Sequence, residues 1–227
     1  MKFFLNKTNK VLRWYRYKSK KEWRKNMSKI LYVKANAKED SESRTFKISE
    51  IFMEEYKKNH PQDEIITLDL YKENIEFLPF GQLDELHGAN TEKNREHPIL
   101  KYAYQFLESD KYVIAAPLWN LSIPAILKAY IDYITVAGVT FTYTANGPVG
   151  LCHNKKGIHI VTRGGSYSQP PFSEYEMGDR YIRTIFGFLG ITDFNTVVAE
   201  NLDVIGADNE AEIKKATNQA LELAKNF

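Results

Sequence analysis

Residues 111–134 read KYVIAAPLWNLSIPAILKAYIDYI. The opening run, Lys111 to Ala116, is β-prone and apolar on both faces of the pleat, a pattern that suits a strand covered on both sides at the centre of a parallel sheet. From Ile123 the period changes: Ile123, Ile126, Leu127, Tyr130, Ile131 and Ile134 follow the i, i+3, i+4, i+7 template of an amphipathic helix. Between them lies the loop Pro117 to Pro124. Strand, loop and helix in this order make the first half of a βαβ unit.

The same alternation recurs on either side. Strands are predicted over Lys29 to Ala35, Glu64 to Leu70, Lys156 to Thr162 and Asn195 to Glu200. Helical spacing links Ile48, Ile51, Phe52 and Tyr56, a stretch near Ile99 to Leu107, then Ile182, Ile185, Phe186 and Leu189, and finally Ile213, Ala216, Ala220 and Leu223. Right-handed crossovers between such units give an α/β class fold, a doubly wound sheet of five parallel strands with helices on both faces. Sheets of this kind bind ligands in the crevice beyond the carboxyl ends of their strands. Function is therefore sought in the loops that follow the strands.

The 227 residues include 43% hydrophobic ones, enough for a substantial core, and 31 Lys and Arg against 29 Asp and Glu. The near-neutral total hides an asymmetry, because residues 1–26 hold ten bases, one acid and six aromatics. We read residues 1–26 as a basic extension, disordered or the product of an upstream start codon, and 27–227 as the folded domain. A role for the arm in nucleic-acid or membrane binding is the competing reading. The longest apolar run is about eight residues, far short of the roughly 20 that span a bilayer, and no signal peptide is evident. The single cysteine, Cys152, fits a reducing cytoplasm. Scattered histidines argue against a metal site. Adjacent Cys152 and His153 would diverge on a strand or turn and make a poor nucleophile and base.

Three loops carry candidate chemistry. The first, Asn36 to Thr45, has no glycine, which excludes dinucleotide and Walker-type phosphate loops. It offers hydroxyls at Ser41, Ser43 and Thr45, where a helix N-terminus favours a single phosphate; Ser43 also reads as a simple N-cap. The second, Pro117 to Pro124, sets Trp119 and two leucines around Asn120, an apolar wall with one amide, as a flat heterocycle requires. Packing of Trp119 into the core or a subunit contact is its other reading. The third, Thr162-Arg163-Gly164-Gly165-Ser166-Tyr167, lets backbone N–H groups approach a ligand edge, although a Gly-Gly pair also marks an ordinary turn. A mononucleotide with a large planar ring, FMN, fits the three together.

Residues 27–227 resemble the FMN-dependent NADH:quinone oxidoreductases known as azoreductases, in the flavodoxin-like superfamily. The resemblance rests on Ser41 to Ser43, on Pro117 to Leu121, on Ala137 to Thr144 followed by Asn146-Gly147-Pro148, and on Arg163-Gly164-Gly165. It implies a flavodoxin-like fold and a homodimer with FMN near the subunit boundary. NADH is the implied co-substrate, with ping-pong hydride transfer to quinones or aromatic azo compounds. It assigns the FMN phosphate to Ser41, Glu42 and Ser43 with Asn36 nearby. The ring falls to Pro117, Leu118, Trp119, Asn120 and Leu121, and its polar edge to Thr162, Arg163, Gly164 and Gly165. Tyr143, Phe172 and Tyr167 become candidates for the substrate pocket.

Two rivals share the topology. A receiver domain needs acids at the end of strand one, where this chain has Lys34-Ala35-Asn36, and is excluded. A flavodoxin-like electron carrier or flavin sensor without steady turnover is the alternative. Such carriers are small and strongly acidic, whereas Tyr71 to Asn90 is long for a connector and suggests a lid or dimer contact.

Overall fold

A computed structural model describes residues 27–81, 95 and 97–227. The arm expected over residues 1–26 lies outside the described residues, as do 82–90 of the long connector. Five parallel strands form the main sheet: β1 (Lys29–Lys34), β2 (Glu64–Asp69), β3 (Lys111–Ala115), β6 (Lys156–Thr162) and β7 (Asp193–Ala199). Their order is β2-β1-β3-β6-β7, the doubly wound flavodoxin-like arrangement expected from the sequence. The 111–115 run occupies the centre, as its two-sided apolar character requires.

Alternation along the strands sorts the core into two layers. Leu31, Val33, Tyr112 and Ile114 point to one face, where they meet α2 (Lys101–Glu108), α3 (Ala125–Ile134) and α4 (Gly178–Phe188). Ile30, Tyr32, Val113 and Ile158 point to the other, against α1 (Arg44–Asn59) and α5 (Asn209–Asn226). Alanines 216, 220 and 224 recur every fourth residue along α5 and are fully buried, which lets this helix close against α1 through Phe52 and Tyr56. Burying one large apolar side chain contributes about 1.5–3 kcal/mol, so the two layers dominate the stability. Some polar atoms that enter them are paired, as where the Tyr112 hydroxyl donates to the Phe106 and Ser109 carbonyls at 2.7 and 3.1 Å, while the buried hydroxyls of Tyr104 and Tyr130 have no partner among the described residues.

Two departures from the sequence reading follow from local chemistry. A small antiparallel hairpin, β4 (Phe141–Thr144) and β5 (Gly147–Gly150), stands apart from the main sheet. Glycine and Pro148 erase the alternation that would have marked β5. Strand β7 begins at Asp193, two residues earlier than expected, because its polar start lies at the sheet edge.

Register is what builds the site. Lys34 pairs with Ala115, Ala115 with Ile160 and Ile160 with Val197. The four strands therefore end on one level, and the loops beginning at Asn36, Pro117 and Arg163 leave the same edge side by side.

Candidate active site

Backbone hydrogen bonds lock the three loop origins together. The Ala35 N–H donates to the Ala115 carbonyl at 2.9 Å, and Leu118 N–H to the Thr162 carbonyl at 3.0 Å. Beyond them opens a polar cleft of about 120 Å³, lined by Asn36, Lys38 and Arg44 from the first loop and helix start, by Pro117, Leu118 and Trp119, by Thr162, Arg163 and Gly164, and by Leu202 and Asp203. The structure thus brings at least one predicted residue from each loop into one cavity.

In the first loop, Ser43 is fully buried and caps α1, its hydroxyl accepting from Phe46 N–H at 3.1 Å and from Asn36 Nδ2 at 2.8 Å. Asn36 Oδ1 accepts from Lys38 N–H at 3.1 Å, which fixes the bend of the chain. Ser41 and Glu42 are exposed on the loop. The N–H groups of Ser41, Arg44 and Thr45 have no acceptor among the described residues. Three open donors beside the positive end of α1 are what a phosphate accepts from. Beneath the loop, the buried Lys34 ammonium donates to Asp40 at 2.8 Å and Glu50 at 3.0 Å. Burial alone would lower its pKa, but these two bonds raise it above the ordinary value, so the loop rests on a permanent cation.

The second loop ends in a tight turn: Trp119 and Ser122 exchange backbone hydrogen bonds at 2.8 and 2.9 Å. Asn120 and Leu121 at its tip have φ of +48° and +67°. A leucine in the left-handed region is costly, by about 1–2 kcal/mol, and such strain concentrates at functional sites. Leu121 and Asn120 stand on the rim and not among the cleft-lining residues, while Trp119 reaches in. The Met177 N–H holds the turn through the Leu121 carbonyl at 2.9 Å.

In the third loop the Arg163 guanidinium is 5% exposed and committed to internal partners, Glu176 at 3.3 Å and Glu200 at 3.4 Å. Glu176 in turn caps α4 by accepting from the N–H groups of Gly178, Asp179 and Arg180. Arg163 Nε remains a buried donor without a partner in this network. Gly164 and Gly165 donate through no backbone hydrogen bond among the described residues, so their N–H groups are open. Gly165 lies outside the cleft lining, packed against Tyr167.

Behind the second loop, His159 spans two elements. Its Nδ1 lies 2.9 Å from Asp179 Oδ1 and its Nε2 3.2 Å from the Ala116 carbonyl, immediately before Pro117. Burial would raise the Asp179 pKa, yet hydrogen bonds and charge from His159, with Thr196 and Arg183, hold it well below the usual carboxylate range. Cys152 is buried, its thiol pushed up to about 11 by that burial, and it offers no nucleophile. Tyr143 and Phe172 are exposed, at 71% and 54%, and do not line this cleft. No group of three metal-ligating side chains occurs among the described residues. Sequence reasoning missed Lys38, Arg44, Leu202 and Asp203; only the open donors at the helix start and the register could have pointed to them.

A family model described as a flavodoxin-like fold matches residues 28–224. The chain is 63% identical over 201 residues to an FMN-dependent NADH:quinone oxidoreductase 2 of Clostridium acetobutylicum, covering 88% of this chain and all of that one. Among solved structures, an azoreductase from Bacillus anthracis superposes with a TM-score of 0.80 at 38% identity, over 88% of this chain and 100% of its own. An FMN-dependent NADH-azoreductase from the same species, in complex with FMN, gives a TM-score of 0.78 at 29% identity, over 87% and 98%. By sequence and by fold, the chain belongs to the family of FMN-dependent NADH:quinone oxidoreductases with the flavodoxin-like fold.

Proposed function

We propose that the chain catalyses the two-electron reduction of quinones, and of aromatic azo compounds, by NADH through FMN. The observation that carries this reading is the convergence of Asn36, Trp119 and Gly164, from three separate loops, on one cleft at the carboxyl edge of the sheet. The residues present fit the cofactor. Open N–H groups at Ser41, Arg44 and Thr45 suit its phosphate, and Arg163, one of the cleft-lining residues, keeps a buried Nε donor without a partner. Ser43 acts through the cap it forms, which sets the direction of those N–H groups. The cleft is open to solvent, and its volume of about 120 Å³ suits a phosphate and its first neighbours. The ring would extend from it along the open side of the cleft against Trp119, with the turn at Asn120 and Leu121 nearby.

Bound there, FMN supplies hydride acceptance from NADH and delivery of two electrons to the acceptor. The chain supplies placement. Trp119 and Leu118 provide an apolar wall that excludes water from one side. With FMN bound, the open N–H group of Gly164 at the cleft wall, and that of Gly165 beside it, would offer positive dipoles to a polar ring edge. In net terms NADH and one proton drawn from solvent reduce a quinone to the hydroquinone and leave NAD.

An open ring surface needs a cover, and we propose that a second copy of the chain provides it in a homodimer. Exposed apolar groups support this reading: Phe77 and Phe80 are 80% or more exposed beside a 650 Å³ hollow at Ala125 and Ile126, and Tyr143 and Phe172 project elsewhere. Tyr143, Phe172 and Tyr167 are then candidate substrate contacts. Among the described residues, no helix is long and apolar enough to cross a membrane, and the lone Cys152 suits a cytoplasmic setting.

Purified protein that is yellow, bleaches with NADH under anaerobic conditions and recovers its colour with benzoquinone at a steady rate supports the enzyme. Colour that does not respond to NADH would overturn it.

A further inference from the structure

Resting on the cofactor reading above, the geometry points to Arg44 as a ligand of the cofactor phosphate and to Asp203 as an internal anion that competes with that phosphate for it. The first loop poses a charge problem. Between Asn36 and Ser43 it carries Glu39, Asp40 and Glu42 against a single base, Lys38. Asp40 is neutralised by Lys34, but Glu39 and Glu42 remain beside the open N–H groups. An acidic loop repels a phosphate unless a nearby cation offsets it.

Arg44, the first residue of α1, is that cation. Its Nη1 donates to the Leu202 carbonyl at 3.0 Å and to Asp203 Oδ1 at 2.9 Å, and both Arg44 and Asp203 line the cleft. Asp203 is fixed in place by its backbone, whose N–H donates to the Gly164 carbonyl at 2.9 Å. Its Oδ2 would lie 2.6 Å from a Cβ built on Gly164, so a carboxylate rests directly on the third loop.

The contest is uneven. The Arg44–Asp203 pair is open to water, with side chains 42% and 71% exposed, and pairs of this kind are weak and screened by salt. A phosphate monoester brings up to two negative charges and accepts two N–H groups of a guanidinium side by side. It would also be held by the N–H groups at the start of α1 and by the positive end of that helix. The guanidinium can keep its bond to the Leu202 carbonyl while it turns from the carboxylate to the phosphate, so no backbone movement is required.

Two substitutions that break the same ion pair should therefore act in opposite directions. The test is retention of FMN by the purified holoenzyme, read from free-flavin fluorescence on dilution, with riboflavin binding as the control that lacks a phosphate. Arg44→Gln is expected to weaken FMN by about 10- to 100-fold and riboflavin little, with Arg44→Lys recovering part of the loss. Asp203→Asn is expected to tighten FMN by about two- to fivefold at low salt, a gain that fades at high salt. A shift of the same sign in both variants would mean that the pair is a structural clip and would overturn the inference. So would an equal loss of riboflavin and FMN in Arg44→Gln. A wild-type protein that retains neither flavin would instead overturn the cofactor reading itself.

Discussion

The hydroxyls of Thr45 and Thr162 lie 2.6 Å apart, both buried, and join the first turn of α1 to the last residue of β6 across 117 residues of chain. This bond ties the helix start that presents the open N–H groups to the loop that carries Arg163 and Gly164. Burial limits the access of water to either hydroxyl. Thr45→Val or Thr162→Val alone strands one buried hydroxyl, at an expected cost of about 1–3 kcal/mol. The double Val variant removes both polar groups at nearly constant volume and should lose less than the sum of the two. Urea unfolding of the four proteins checks this, and strict additivity would show that the hydroxyls are not coupled.

Asp179 gives the fold a pH-dependent component. Its carboxyl titrates well below the 3.9 or so of an unfolded aspartate. A group depressed in the folded state contributes stability that is present above the unfolded value and is lost as pH falls toward the folded one. Asp179→Asn, which breaks a mostly buried set of bonds to His159, Thr196 and Arg183, should cost about 3 kcal/mol at pH 7. That difference from wild type should shrink steadily below about pH 4. A gap that stays constant from pH 7 to pH 3 would place the effect in packing rather than in charge.

These two relationships mark the limits of what the chain discloses as text. Tyr112 to Ala116 is legible because apolar residues on both faces of a strand have one explanation, and the strand order and loop convergence follow from topological rules. The spacing of Ser41 and Ser43 identifies a helix start but cannot tell a hydroxyl that faces a ligand from one turned inward to cap, and Ser43 is turned inward. Arg163 reads as a contact for a ligand edge, yet Glu176 and Glu200, 13 and 37 residues on, absorb its charge. Arg44 and Asp203 have no local signal at all, since their meeting depends on the register of β6 with β7 and on the path of the loop after it.

Glycine substitutions separate the structural from the functional use of the backbone. At Gly150 an added Cβ would overlap the Leu189 carbonyl carbon and the Gly190 nitrogen, backbone atoms that belong to the end of α4 and cannot retreat without moving that helix. At Gly164 the nearest obstacle is Asp203 Oδ2 at 2.6 Å, the far end of an exposed side chain that can rotate away. Gly150→Ala should therefore destabilise by several kcal/mol, toward the upper end of single-residue effects, and lower the yield of folded protein. Gly164→Ala should cost no more than about 1 kcal/mol in urea unfolding, because yielding there sacrifices only an exposed ion pair. Its flavin retention should nevertheless fall, since the methyl group stands at the cleft wall where backbone N–H groups are offered. If Gly164→Ala unfolds as readily as Gly150→Ala, the carboxylate of Asp203 is not free to move; if it keeps full flavin, the third loop does not approach the cofactor.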